Sequence, residues 1–191
     1  MLKFFGFSQK PVRSIVAVLA LGIALGVAYE EMFGIGTWHN FHPETEKFNV
    51  CFTPPSGCGS LIAQEITKAR KTIHVQAYGL TSTAIINQLK AAKDRGVKVI
   101  VLLDGGGLSN NDPVIKELRA AGIESHFDKL PGIAHNKVMI IDKQKVITGS
   151  FNFTAAADSR NAENVMLIED PKIAELYLQN WVSRRNHSRS K

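Results

Sequence analysis

Residues 134–154 read A-H-N-K-V-M-I-I-D-K-Q-K-V-I-T-G-S-F-N-F-T, and two β-rich runs stand inside this stretch. The runs K-V-M-I-I-D at 137–142 and K-V-I-T at 145–148 are separated by a polar pair, a pattern typical of two strands joined by a tight turn. Because side chains alternate along a strand, His135 and Lys137 are predicted to share one face of the first strand.

Polar groups of different chemistry stand around this hairpin. Asn152 follows the second strand, where Gly149 and Ser150 allow the chain to bend back. An imidazole, an ammonium, a hydroxyl and a carboxamide would then meet, with no second carboxylate cluster and no Cys/His metal set nearby in the sequence. This combination suits attack on a phosphodiester without a metal. The alternative is an ordinary exposed hairpin that carries a histidine and a lysine.

The spacing H-x-K-x-x-x-x-D, followed by G-S-x-N, resembles the HKD motif of the phospholipase D superfamily. The similarity extends to C-F-T-P-P-S-G-C at 51–58, V-Q-A-Y at 75–78 and N-A-E-N-V at 161–165. It is closest to the small bacterial members with one motif per chain, which include secreted Nuc-type endonucleases and small proteins named phospholipase D. Nearly the whole chain after residue 48 is covered.

This resemblance implies a catalytic set of six residues: His135, Lys137, Asp142, Ser150, Asn152 and Glu163. His135 is similar to the nucleophile that forms a phosphohistidine intermediate, while the equivalent histidine of a second motif protonates the leaving oxygen. Lys137 and Asn152 are similar to the phosphate-binding residues, and Ser150 to a hydroxyl donor beside them. The resemblance implies no metal ion and no cofactor.

Two members of the set, Glu163 and Asp142, are acidic. Glu163 resembles the residue that hydrogen-bonds the other ring nitrogen of the nucleophile, where a carboxylate fixes the tautomer and stabilises imidazolium. The alternative is a charged residue at the start of a strand with no catalytic role. Asp142 is expected to brace the loops, because a carboxylate beside a phosphate would repel it.

A mechanism with two histidines needs two motifs, and this chain has one. None of the other five histidines has a lysine two residues later: His39, His42, His74, His126 and His187. A homodimer with the active site at its two-fold axis would supply the second motif, because an isologous interface brings the same patch of each subunit together. We therefore predict a homodimer.

The N-terminal region differs in composition from the rest of the chain. Lys3, Lys10 and Arg13 precede an uncharged apolar run at 14–29. This run is shorter than the roughly 20 residues of a spanning helix, and small residues stand at the cleavage positions. We predict a signal peptide or N-terminal membrane anchor at 1–28. Either one exports the rest of the chain, so the protein is expected to be secreted or periplasmic, or anchored with its catalytic domain outside the cytoplasm.

The remainder fits a single catalytic domain. The chain has 191 residues, 45% hydrophobic and 21% charged, which is ordinary for one globular domain. We predict a linker at 29–47 and a catalytic domain with a basic C-terminal tail at 48–191. Cys51 and Cys58 flank a turn-forming stretch and are candidates for a disulfide, with reduced thiols as the alternative.

The order of predicted elements indicates an α/β fold, a mixed β-sheet flanked by helices on both faces. Strands are predicted at 49–52, 72–78, 97–103, 123–126, in the hairpin, and at 163–168. Helices are predicted at 60–71, 83–95, 113–121 and 171–185. Asp112 before Pro113 is predicted to cap the third of these helices.

Charge bears on the choice of substrate. The formal net charge is +6, and +3 remains without Lys3, Lys10 and Arg13. Basic residues concentrate in the C-terminal tail, which suits nucleic acid, an anionic lipid surface or simple solvation. Three functions are considered: a metal-independent endonuclease, favoured by the small size of the domain; a phospholipase D that hydrolyses phospholipid head groups; and a non-catalytic anchored nucleic-acid-binding protein, against which the intact motif argues.

Overall fold

The computed structural model describes most of the chain after residue 46: residues 47–55, 57–106, 111–129 and 132–189. All of these belong to one compact unit, residues 45–191. The predicted targeting segment lies outside the described residues, as does the predicted linker except for its last residue. In the part of the chain that is described, no helix has both the length and the apolar character needed to cross a membrane.

Seven strands form one sheet: β1 Lys47–Thr53, β2 Thr72–Ala77, β3 Lys98–Asp104, β4 Glu124–Asp128, β5 Lys137–Ile141, β6 Lys145–Gly149 and β7 Glu163–Glu169. Their order across the sheet is β1-β7-β6-β5-β2-β3-β4. The strands β2, β3 and β4 run parallel, and the remaining pairings are antiparallel. The predicted mixed sheet is therefore confirmed.

Within the described residues, five helices follow or connect these strands: α1 Cys58–Lys68, α2 Thr83–Asp94, α3 Asp112–Ala120, α4 Ala155–Ser159 and α5 Pro171–Arg189. On one face of the sheet, α1 to α4 contribute to a core in which Ile62 and Leu89 are fully buried. On the other face, α5 packs through Leu178 and Trp181, and the Trp181 indole N–H donates to the Val75 carbonyl at 2.9 Å. Helices thus flank both faces, as predicted.

The continuous apolar run of β5 follows from its central position. Met139 and Ile141 point into the core beneath α1 to α4, whereas Val138 and Ile140 point into the core beneath α5. A strand that buries both faces needs apolar residues at every position, which removes the alternation seen in half-exposed strands. Because β5 is buried on both faces, the position of its first residue, Lys137, is fixed.

One local prediction is wrong, and one short helix was not predicted. Asp112 is the first residue of α3 and not its cap; Asn111 holds the N-cap position. The Asn111 amide donates to the backbone carbonyls of Tyr78 at 2.8 Å and Asp104 at 3.1 Å, which anchors the chain just before the helix. The short helix α4 was not predicted, because five residues are too few for a readable period.

A disulfide joins Cys51 of β1 to Cys58 at the start of α1, with Cα atoms 5.6 Å apart. Residues on both sides of this disulfide also contact α4 and the loop that follows α4. The Gly59 N–H donates to the Asp158 carboxylate at 3.0 Å, and the Thr53 hydroxyl donates at 3.0 Å to carbonyls of α4 and of the following loop. These contacts tie the edge strand β1 to the segment that leads into β7.

The predicted basic tail is in large part a packed helix. The helix α5 continues to residue 189, and Arg184 within it forms an ion pair with Asp128 of β4. Arg185 likewise pairs with Glu124. Both guanidinium groups are bound to carboxylates of the same chain. They therefore do not form a free basic tail that could bind a polyanion.

Candidate active site

Five of the six predicted catalytic residues gather at one end of the sheet. Lys137 is the first residue of β5 and pairs in register with Ala77 of β2. His135 precedes β5 by two residues, Ser150 follows β6, and Glu163 opens β7. The antiparallel pairing of β5, β6 and β7 brings these segments, which are distant in sequence, to the same edge.

His135 and Lys137 are held together around Tyr78, the residue that follows β2. The exposed His135 ring packs edge-on against the Tyr78 ring, with centroids 4.9 Å apart. The Lys137 ammonium donates to the His135 carbonyl at 2.9 Å and stands 5.3 Å from the Tyr78 ring centroid. The Tyr78 N–H donates to the Asn136 carbonyl at 2.7 Å. An exposed imidazole therefore stands beside a lysine that is only 6% exposed.

The electrostatics of Lys137 reflect this position. Burial lowers the pKa of the Lys137 ammonium below its ordinary value, because the charged form loses hydration. The Glu163 carboxylate opposes this effect and raises the pKa. The charge of Lys137 thus depends on Glu163, which is also a member of the predicted catalytic set.

Asn152 lies in the loop after β6, at the same end of the sheet as His135 and Lys137. Gly149 adopts φ 148°, and a Cβ there would stand 2.2 Å from the Asn164 carbonyl, so this turn requires glycine. The chain then returns to β2, where the Phe153 N–H donates to the Gly79 carbonyl at 3.0 Å. The Asn152 Oδ1 is buried against Gly79, with no hydrogen-bond partner among the described residues.

Ser150 and Glu163 form a hydrogen-bonded group. The Ser150 hydroxyl donates to Glu163 at 2.5 Å, and the Asn161 amide donates to the other oxygen of that carboxylate at 3.0 Å. The backbone N–H of Asn164 donates to the Ser150 hydroxyl at 3.1 Å. The structure of the described residues has no hydrogen bond between the His135 ring and the Glu163 carboxylate, although one was predicted.

Asp142 does not lie with the others. It follows the far end of β5, roughly 16 Å from Lys137 along the strand at about 3.3 Å per residue. Its carboxylate accepts hydrogen bonds from three successive backbone N–H groups at 2.7–2.8 Å, those of residues 70, 71 and 72. Asp142 holds the loop between α1 and β2, so the structure gives it a bracing position and no contact with the cluster.

Sequence reasoning missed two residues near the site. Tyr78 was noted only as part of V-Q-A-Y, although its ring contacts His135 and its backbone holds Asn136. Asp104, the last residue of β3, accepts a hydrogen bond from the Ala134 N–H at 2.7 Å. Local sequence indicates neither contact, because Asp104 reaches the loop of His135 across β2, which lies between β3 and β5. Among the described residues, no group of three or more His, Cys, Asp or Glu side chains is arranged to hold a metal ion.

Comparison with known proteins agrees with this arrangement. A family profile described as "Cardiolipin synthase, PLD-like domain" matches residues 62–184. A phospholipase D of Rickettsia bellii is 47% identical over an alignment that covers 93% of this chain and 96% of the relative. The human mitochondrial cardiolipin hydrolase is 33% identical over 64% of this chain and 48% of its own length.

A solved structure has the same fold. The structure of Nuc from Salmonella typhimurium, described as a phospholipase D family member, superposes with a TM-score of 0.70 at 35% identity, covering 74% of this chain and 95% of that chain. The family profile spans well over half of this chain, and the Rickettsia relative matches almost all of it. On this evidence the chain belongs to the phospholipase D superfamily and is a phosphodiester hydrolase.

Proposed function

We propose that this protein is a metal-independent endonuclease that hydrolyses DNA or RNA through a phosphohistidine on His135, within a homodimer that joins two copies of the site. The observation that carries the proposal is the exposed His135 imidazole beside the buried Lys137 ammonium at one end of the sheet. A polymer is able to cross this end without entering a cavity.

The reaction follows from the groups present. A ring nitrogen of His135 attacks phosphorus, a P–N bond forms, and the P–O bond to the leaving oxygen breaks. The Lys137 ammonium and the Asn152 carboxamide bind the non-bridging oxygens, on which charge develops. Water then attacks the phosphohistidine, the P–N bond breaks, and His135 is regenerated.

The proton for the leaving oxygen needs a second group. The described chain has one histidine at this edge, so we assign the general acid to His135 of a second copy, which then acts as base on the attacking water. A two-fold axis between the two edges makes the two histidines of this shared site equivalent. This assignment makes dimerisation a requirement of the reaction.

The small size of the domain supports a nucleic-acid substrate over a lipid, because few residues remain for an acyl-chain pocket. A cleft of about 300 Å³ is lined by residues such as Phe48, Leu61 and Leu167. Its lining residues Leu167 and Glu169 lie further along β7, roughly 13 and 20 Å from Glu163 at about 3.3 Å per residue. This cleft is separate from the residues gathered around His135.

The second candidate is a phospholipase D that hydrolyses phospholipid head groups. It is favoured by the similarity to the phospholipase D of Rickettsia bellii, which covers almost the whole of both chains. The export predicted for the N-terminal region is compatible with both candidates. His135, Lys137 and Asn152 would perform the same steps on either substrate.

One experiment separates the two candidates. The full-length protein in EDTA is offered single-stranded DNA, duplex DNA, RNA, and vesicles of phosphatidylcholine or cardiolipin. His135→Ala tests the nucleophile, and His126→Ala is the matched control because His126 lies on β4, bonded to Glu124 at 2.8 Å. We expect nucleic-acid cleavage that His135→Ala lacks and His126→Ala retains. Head-group release without nucleic-acid cleavage would move the protein to the second candidate.

A further inference from the structure

A buried carboxylate holds the peptide immediately before His135. Asp104, at the end of β3, is 1% exposed, and its Oδ1 accepts a hydrogen bond from the Ala134 N–H at 2.7 Å. Its Oδ2 accepts from the Gly106 N–H at 3.1 Å. One side chain therefore joins the loop after β3 to the loop that carries His135.

The peptide on the other side of His135 is held from the same place. The Asn111 amide donates to both the Asp104 and the Tyr78 carbonyls, at 3.1 and 2.8 Å. The Tyr78 N–H in turn donates to the Asn136 carbonyl at 2.7 Å. Residues 134 and 136 are thus both fixed by groups at the ends of β2 and β3.

His135 depends on these contacts because it lies outside regular structure. Residues 132–136 belong to no helix or strand, so no ladder of hydrogen bonds sets their backbone. The direction of the imidazole follows from that backbone. Misplacing a reacting group by about 1 Å costs on the order of 100-fold in rate, which makes such support consequential.

A carboxylate is also a costly residue at this position. A buried charge is destabilising unless hydrogen bonds replace its lost hydration, and an apolar residue would fill the same space without that cost. Both Asp104 oxygens accept from backbone N–H groups of irregular loops. Asp104 is too buried to touch a substrate at this end of the sheet.

We propose that Asp104 is a positioning residue for the reaction: its carboxylate sets the backbone at Ala134 and thereby aims the His135 imidazole at phosphorus. This inference rests on the proposed role of His135 as nucleophile. It gives β3 a part in catalysis that acts through His135, although β3 carries no residue of the HKD motif.

Asp128 provides a matched control for Asp104. It is paired in register with Asp104 on the neighbouring strand β4 and is equally buried, at 1% exposed. Its carboxylate accepts from the Gln76 amide at 3.2 Å and pairs with Arg184. Asp128→Asn therefore disturbs a buried carboxylate of the same sheet that is bonded to side chains of β2 and α5.

The test uses the full-length protein and bis(p-nitrophenyl) phosphate, a small diester that is neither nucleic acid nor lipid. We expect kcat to fall about 100-fold in Asp104→Ala and about 10-fold in Asp104→Asn, with KM within threefold of wild type. Asp128→Asn should keep kcat within twofold. Folding of each variant is checked by circular dichroism.

Two results would overturn the proposal while leaving His135 in its role: folded Asp104 variants with wild-type kcat, or an equal loss of kcat in Asp128→Asn. Loss of activity in His135→Ala is measured in parallel. If His135→Ala stays active, the nucleophile assignment itself is wrong.

Amide hydrogen exchange gives a readout that needs no variant. In the wild type, the Ala134 amide should exchange at least 100-fold more slowly than in an unstructured peptide, because the buried Asp104 carboxylate accepts its proton. In Asp104→Asn, this exchange should accelerate more than that of the β5 amides. An unprotected Ala134 amide in the wild type would refute the proposal even if neither Asp104 variant folded.

Discussion

At the scale of single residues, the charge of Lys137 depends on Glu163. Burial lowers the pKa of Lys137 and the Glu163 carboxylate raises it. Removing that carboxylate in Glu163→Gln removes the stabilisation of the ammonium, so the pKa of Lys137 should fall further. The amine would then lose its proton, and its ability to neutralise phosphate, at a lower pH than in the wild type.

The measurement is a ¹³C NMR titration of the lysine ε carbons, with Lys137→Met to assign the signal. Glu169→Gln is the matched control, because Glu169 stands at the other end of β7 and contacts Lys145 at 3.1 Å. It should leave the pKa of Lys137 unchanged. An unmoved Lys137 titration in Glu163→Gln would mean that the two charges do not interact.

The residues near the site divide into those that sequence could indicate and those that it could not. His135, Lys137 and Asn152 were predictable because a strand, a turn and a fixed spacing connect them within eighteen residues. Tyr78 and Asp104 approach His135 only through the pairing of β2 with β5 and of β2 with β3. Nothing in their own local sequence announces this contact, since strand order is decided by packing of the whole sheet.

At the scale of elements, Asp142 fixes the end of β5 to the start of β2. Asp142→Ala removes an acceptor from three backbone N–H groups, so we expect the free energy of unfolding to fall by about 1–3 kcal/mol. Urea unfolding measures this change. Asp94→Ala, at a side chain 72% exposed on α2, should change stability by less than about 0.5 kcal/mol.

The same variant distinguishes bracing from catalysis. Because Asp142 lies roughly 16 Å from Lys137 along β5, kcat of the folded Asp142→Ala protein on a small diester should stay within about twofold of wild type. A large fall in kcat under conditions where the variant is fully folded would return Asp142 to the catalytic set.

The disulfide gives a second prediction at this scale. Cys51 and Cys58 close a short loop between β1 and α1. Replacing both with alanine should lower the free energy of unfolding by about 2–3 kcal/mol, since the unfolded chain regains the freedom that the crosslink removes. Reductant should destabilise the wild type and leave the double variant unaffected. Equal stability of the two proteins without reductant would contradict this expectation.

Most of the elements were predictable for identifiable reasons. Apolar runs such as V-I-V-L-L in β3 and V-M-I-I in β5 are buried on both faces, and the helices between them have an apolar side that faces the sheet. The short helix α4 escaped prediction because it ends within two turns, although Thr154 caps it, with the Ala157 N–H donating to the Thr154 hydroxyl at 3.1 Å. The sheet order and the ion pairs of Arg184 and Arg185 depend on contacts between distant segments, which local patterns do not encode.

At the scale of the whole molecule, the proposed mechanism assigns one histidine to each of two chains. Coexpression of wild type and His135→Ala with different affinity tags allows the mixed dimer to be purified by two successive steps. The composite site of this dimer has one His135 instead of two, so either the nucleophile or the general acid is missing. We expect the mixed dimer to be inactive, with kcat on bis(p-nitrophenyl) phosphate reduced at least about 100-fold.

A mixed dimer of wild type with His126→Ala is the control and should have full activity, because His126 lies on β4. Sedimentation of the wild type at assay concentration should give the mass of two chains. Half of the wild-type activity in the His135→Ala mixed dimer would mean that each chain completes its own site, and full activity of a sedimenting monomer would mean the same. In either case the general acid would have to be found within one chain, among the polar groups at the same end of the sheet, such as Tyr78, Ser150 and Glu163.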